Sequence, residues 1–188
     1  MIRELEKRNN QFINKVIIGG SIAIFIIATL FHFIFDLCSS CEILGIFFPV
    51  NESIFEHLKL SFYPTIVYWI VIFLIFNRDY KLNKYKWFTG MTFSIFTCIL
   101  FVVCYYYVFH YALNISIKIL DILSLLVGSL FGQMLGCHVY NKSSAQKFSL
   151  IICIMILILT AVFFANFTFY PPKLPLFLDI SNGTYGIK

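Results

Sequence analysis

The sequence predicts an all-α, polytopic membrane bundle: five transmembrane helices, one short re-entrant or interfacial segment, and the N-terminus inside. Composition is the first reason. Of 188 residues, 60% are hydrophobic and only 12% charged, against about 45–50% and about 25% in soluble domains, so charge is too scarce to coat a soluble fold. Spacing is the second: the apolar residues fall in blocks of about 20 between short polar breaks, the length a bilayer core demands. The same numbers exclude a disordered chain, a disulfide-knit secreted scaffold and a nucleic-acid module, because the net charge of +5 is scattered in short clusters beside apolar blocks.

Five blocks are long enough to span: residues 16–37, 54–76, 87–109, 119–140 and 148–170. Each covers about 30–35 Å at about 1.5 Å per residue. The stretch from Ile43 to Val50 is apolar but reaches only about 12 Å as a helix, so it must lie in the interface or dip in and return. The first block exceeds a signal-peptide core and lacks a small-x-small cleavage site, which predicts that it is retained. Loops are short, and no low-complexity linker or internal repeat is visible. The organisation expected is one transmembrane domain, 1–170, followed by an extended extracytoplasmic tail, 171–188.

Lys and Arg set the orientation. The N-terminal arm holds Arg3, Lys7, Arg8 and Lys15, the second loop Arg78, Lys81, Lys84 and Lys86, and the fourth Lys142 and Lys147. Placing these inside collects ten of the fourteen and leaves Lys59, Lys118, Lys173 and Lys188 outside. Trp87 at one inner helix end and Tyr105, Tyr106, Tyr107, Tyr111 and Tyr170 at outer ends agree with interfacial belts.

Polar and ionisable groups within spans are costly, about +2.5–3.5 kcal/mol for a charge at mid-span on insertion scales, so their positions are informative. On this topology nearly all fall at the outer boundary: His32 and Asp36 on helix 1, Asn51, Glu52, Glu56 and His57 at the start of helix 2, His110 at the end of helix 3, Asp121 opening helix 4, and Asn166 on helix 5. His138, near the inner end of helix 4, is the exception. His32 and Asp36 are four apart and share a face, as do Glu52 and Glu56 if helix 2 begins by Asn51. Imidazole plus carboxylate suits zinc or another divalent metal, and a site with an open position activates water for hydrolysis. The metal ligands expected are His32, Asp36, His57 and His110, with Glu52, Glu56 and Asp121 as the catalytic carboxylates. A structural account competes with this one. Ser53-Ile54-Phe55-Glu56 is a capping box before an apolar run, which makes Glu56 a cap and Lys59 its i,i+3 ion partner.

Further features bear on packing. Ser124, Gly128, Gly132 and Gly136 form a small-residue stripe on helix 4, and Gly90, Ser94 and Cys98 another on helix 3. They predict close helix contact, within the chain or through the Gly128/Gly132/Gly136 stripe to a second copy or a partner membrane protein. Pro64 predicts a kink in helix 2. Cys38-Ser39-Ser40-Cys41 reads as a structural disulfide or free thiols, with a redox or metal role as the alternative. The tail from Tyr170 to Asp179 carries three prolines in six residues and cannot be helical, yet it is apolar, so it should fold back over the bundle. Gly183-Thr184-Tyr185-Gly186 reads as a turn that brings a Tyr hydroxyl along.

The stretch Pro49-Val50-Asn51-Glu52-Ser53-Ile54-Phe55-Glu56-His57-Leu58-Lys59 resembles a family of small bacterial integral membrane proteins designated a domain of unknown function. That family carries Pro-Val-Asn-Glu-Ser-x-x-Glu-His-x-Lys after its first helix and a Pro-Pro-x-x-Pro-Leu-Phe and Tyr-Gly-Ile tail. Pro171, Pro172, Pro175, Leu176, Phe177 and Tyr185-Gly186-Ile187 match the tail, and His32 matches a helix 1 histidine. The resemblance implies a multi-pass protein of the bacterial cell membrane and brings no activity with it. The residues themselves point to an outward-facing His/carboxylate site, read as a metal-dependent hydrolase acting on a lipid or peptide at the outer leaflet. A non-enzymatic accessory or scaffold subunit and a small ion or solute transport component are the alternatives. Partners expected are the lipid bilayer and no nucleic acid.

Overall fold

The computed structural model describes residues 2–38, 41–179 and 181–187. It is a bundle of five helices: α1 (Ile2–Leu37), α2 (Ile54–Tyr80), α3 (Lys84–Tyr106), α4 (Lys118–Lys142) and α5 (Lys147–Phe169). Each contains a segment long and apolar enough to cross a membrane. α1 begins well before its apolar block because the Glu, Lys, Arg and Gln residues of the N-terminal arm are themselves good helix formers. α2 starts at Ser53, whose hydroxyl accepts the Glu56 N–H at 3.3 Å, and stops at Lys81, which adopts φ 48°. α3 starts at Asn83, whose side chain accepts from the Tyr85 and Lys86 N–H groups. It runs on into a π-helical turn, Tyr107–Ala112.

Short connections at 81–83, 113–117 and 143–146 make successive helices antiparallel. The C-terminal ends of α1, α3 and α5 and the starts of α2 and α4 therefore share one end of the bundle, and the basic clusters share the other. α3 touches α2, α4 and α5, while α1 packs against α2 and α4.

Two tryptophans anchor the interior. Trp69 and Trp87 are fully buried, and the Trp87 indole donates to the Trp69 carbonyl at 3.0 Å. The Trp69 indole donates to Gln133 Oε1 at 3.1 Å, and Gln133 donates on to the Ser94 hydroxyl at 2.8 Å. Trp87 is thus a core residue, where an interfacial anchor was expected.

The glycine stripe makes its close contact within the chain, one of the two arrangements expected. Gly128, Gly132 and Gly136 are buried against α3 within the same chain. A Cβ on Gly136 would lie 2.8 Å from the Gly90 carbonyl oxygen, and one on Gly132 would collide with the Ser94 carbonyl. Small residues let the two backbones meet, and that contact uses up the surface a partner would have needed.

The α1–α2 connection holds a 3-10 turn, Glu42–Ile46, the short apolar segment that cannot span. Cys38 and Cys41 precede it as free, exposed thiols. After α5 the chain folds back: Phe177 is buried, its ring 4.4 Å from that of Phe55. The tail ends in a small antiparallel hairpin, β1 (Leu178–Asp179) with β2 (Thr184–Tyr185). The expected turn at 183–186 is thus a strand flanked by two glycines in the left-handed region, Gly183 at φ 73° and Gly186 at φ 66°. Tyr185 packs against the core.

Candidate functional site

His32, Glu52 and His57 converge at the shared end of α1 and α2. One ligand atom from each lies within 4.8 Å of the other two. His32 Nε2 is 3.6 Å from Glu52 Oε1, and His57 Nε2 is 3.6 Å from Glu52 Oε2. The imidazole rings face each other at 5.2 Å. Tetrahedral zinc with ligands at about 2.0–2.1 Å places ligand atoms about 3.4 Å apart; each His–Glu separation approaches that value, though to a different carboxylate oxygen. His57 Nδ1 lies 2.8 Å from the Ser53 carbonyl oxygen. A carbonyl only accepts, so Nδ1 carries a proton; in the neutral ring the lone pair is then on Nε2, on the Glu52 side. Backbone orientation of this kind is what a metal-binding histidine requires.

Glu52 is not a helical residue. α2 starts at Ile54, so Glu52 and Glu56 do not share a helix face, and the two carboxylates part company. Asn51 is the cause. Its Oδ1 accepts the Ser53 N–H at 2.9 Å, taking the donor that a full capping box would give to Glu56. Glu56 turns inward instead, where its Oε2 accepts from the Val50 N–H at 3.0 Å and from Lys59 Nζ at 2.6 Å. The ion partner expected for a structural Glu56 is therefore present. Glu56 and Lys59 are 1% and 0% exposed, whereas the Glu52 side chain is 57% exposed.

His110 and Asp121 form a separate pair. His110 Nε2 donates to Asp121 Oδ1 at 2.8 Å, and the Tyr105 hydroxyl donates to the same oxygen at 3.3 Å. The structure thus joins His32, Glu52 and His57 and leaves Glu56, His110 and Asp121 outside the group. The side chain of Asp36, the remaining expected ligand, lies outside the described residues.

A cleft of about 340 Å³ opens beside the cluster, lined by His32, Phe35, Asn51 and Glu52 on one side and by Asp179, Asn182, Thr184 and Gly186 of the tail on the other. Asn51 Nδ2 donates to the Gly186 carbonyl at 2.9 Å, and Ile187 N–H donates to the Thr168 carbonyl at 3.2 Å. Asp179 is the residue sequence reasoning missed. It is 1% exposed, and its Oδ1 accepts from the Ser181 hydroxyl at 2.6 Å and the Ser181 N–H at 2.9 Å. Burial alone would push its carboxyl up. Hydrogen bonds from the Ser181 side chain and backbone, the Glu52 backbone and the Asn182 side chain outweigh that and hold it below the usual carboxylate range. Asp179 thereby pins the tail turn at Ser181, close to the Glu52 backbone.

The sequence model of a family of unknown function, DUF6512, matches residues 5–187. The chain belongs to that family. The DUF6512 match takes in the helical bundle, the His32–Glu52–His57 cluster and all but the last residue of the tail that closes the cleft. No curated protein and no solved structure matches the chain.

Proposed function

We propose that this DUF6512 protein is a multi-pass membrane metalloprotein in which His32, Glu52 and His57 bind a divalent cation of the zinc type, and that the bound ion activates water to hydrolyse a lipid or peptide at the outer membrane surface. The convergence of two imidazole nitrogens and a carboxylate within 4.8 Å, with His32 and Glu52 lining the adjoining cleft, carries the reading. Two His and one Glu with a fourth position open is a hydrolytic donor set, whereas structural zinc sites are closed by four protein ligands. Metal lowers the pKa of bound water to about 7. A separate base is then unnecessary, which suits a site whose nearby carboxylates, Glu56 and Asp179, are both committed to hydrogen bonds.

That commitment also favours the second reading, a non-enzymatic subunit in which the ion only braces the cleft. Metal analysis of the full chain in lipid nanodiscs, followed by chromogenic ester, phosphodiester and peptide substrates, separates the two. Hydrolysis requires one zinc per chain, loss of metal in His32→Ala and His57→Ala, and turnover abolished by a chelator. Stoichiometric metal with no turnover on any substrate supports the bracing role. A wild-type chain that takes up no metal rejects both.

A further inference from the structure

Lys59 is the most deeply buried charge of the described residues and touches neither the cluster nor the cleft. Its three protons are fully used: Nζ lies 2.6 Å from the Gly45 carbonyl, 2.6 Å from Glu56 Oε2 and 2.6 Å from the Thr168 hydroxyl, with the Phe48 carbonyl at 3.4 Å. Thr168 in turn donates to Glu56 Oε1 at 2.9 Å, closing a triangle of ammonium, hydroxyl and carboxylate. A helix needs none of this. A buried ion pair is no more stabilising than well-packed apolar side chains of the same shape, and in a membrane chain such groups are rare unless they serve something else.

The partners indicate what is served. Gly45 O, Phe48 O and the Val50 N–H belong to the connection that carries Glu52, and Val50 is two residues from it. Glu56 precedes His57 on the first turn of α2. Thr168, through its carbonyl, holds Ile187 of the tail, whose neighbour Gly186 is bonded to Asn51. One ammonium therefore ties together the ligand loop, the ligand helix and the opposite wall of the cleft. Apolar packing at the same place would fill the volume without fixing where those carbonyls point.

We infer that Lys59, with Glu56 and Thr168, is a positioning device for the metal centre: it acts through the 45–50 loop and the tail to set the geometry of Glu52 and His57. The inference rests on the metal centre proposed above. The test uses the full chain in lipid nanodiscs, loaded with cobalt(II), whose visible absorption reports coordination geometry, and titrated against a chelator for affinity. Thermal melting followed by fluorescence of the two buried tryptophans runs in parallel.

The double variant E56Q/K59M removes both charges while keeping side-chain volume. It should fold, bind cobalt at least ten-fold more weakly and show an altered spectrum. T168V, which keeps the ion pair and loses only the hydroxyl link, should weaken binding several-fold and supplies the answer if the double variant does not fold. Q133L, which breaks the distant Trp69–Gln133–Ser94 chain, should lower the melting temperature and leave cobalt affinity and spectrum as in wild type. Wild-type affinity and spectrum in E56Q/K59M, or in T168V where the double variant does not fold, would overturn the inference, as would a loss of affinity in Q133L that matches its loss of stability. Failure of the wild-type chain to bind cobalt rejects the metal centre itself, and that outcome is read before any variant is made.

Discussion

Replacing Lys59 alone by Met gives the sharpest stability test. The substitution removes an ammonium with three contacts at 2.6 Å and leaves Glu56, 1% exposed, as a carboxylate without a counter-ion. Two acceptors, Gly45 O and the Thr168 hydroxyl, also lose a donor. Breaking a buried pair by removing one partner costs about 3–5 kcal/mol, whereas replacing both partners by apolar or neutral groups of similar volume is often nearly neutral. K59M should therefore lose about 3–5 kcal/mol, and E56Q/K59M should recover at least half of it, a coupling of about 2 kcal/mol or more. The assay is equilibrium unfolding in mixed micelles, followed by the fluorescence of Trp69 and Trp87, both fully buried. A loss below about 1 kcal/mol in K59M, the range of an exposed pair, would refute the reasoning. So would a double variant as unstable as the two singles summed.

Other outcomes follow from the same geometry. His57→Ala should abolish stoichiometric zinc while His110→Ala leaves it intact, since His110 is paired with Asp121 away from the cluster; elemental analysis of purified protein decides this. Asp179→Ala should cost about 0.5–1.5 kcal/mol by removing the acceptor of the Ser181 hydroxyl and N–H, and should make the 181–183 turn cleavable in limited proteolysis. Gly132→Ala should destabilise by about 1–3 kcal/mol through overpacking against α3, while Gly19→Ala, which meets nothing within 4 Å, should be neutral or slightly stabilising in a melt. A membrane-impermeant maleimide applied to intact cells should label Cys38 and Cys41, both exposed, from the outside. Labelling only after lysis would invert the orientation and move the cleft to the inner face.

The bundle was legible because a bilayer imposes one pattern, long apolar blocks, that few sequences carry by accident. The helix ends were less so: hydropathy does not register the Glu-, Lys- and Arg-rich arm that continues α1 back to Ile2. Within the site, His32, Glu52 and His57 stood out as ionisable groups in an apolar setting. Glu56 looked the same and has a different fate, decided by a competition between Asn51 and Glu56 for one backbone donor, Ser53 N–H. Such a choice depends on loop geometry and leaves no periodicity to read. Thr168 was invisible for another reason. A lone Thr in an apolar helix is most often bonded to its own backbone, and this one has Phe164 O and Glu56 Oε1 both at 2.9 Å, sharing its single proton between them. Asp179 sat in a segment correctly seen as folding back, but nothing in its neighbours reveals that it would meet Glu52.

The sequence separations within the Lys59 knot have a consequence in time. Lys59 and Thr168 lie 109 residues apart, and at ribosomal rates of about 5–20 residues per second the wait between them is about 5–20 s. During that interval α1 and α2 are already in the bilayer with an ammonium and a carboxylate that have only each other and the adjoining loop. The i,i+3 spacing of Glu56 and Lys59 keeps both tolerable from the moment the first turn of α2 forms. The hydroxyl, the tail and the far wall of the cleft arrive with the last span, so the cleft is completed only after every helix has been inserted.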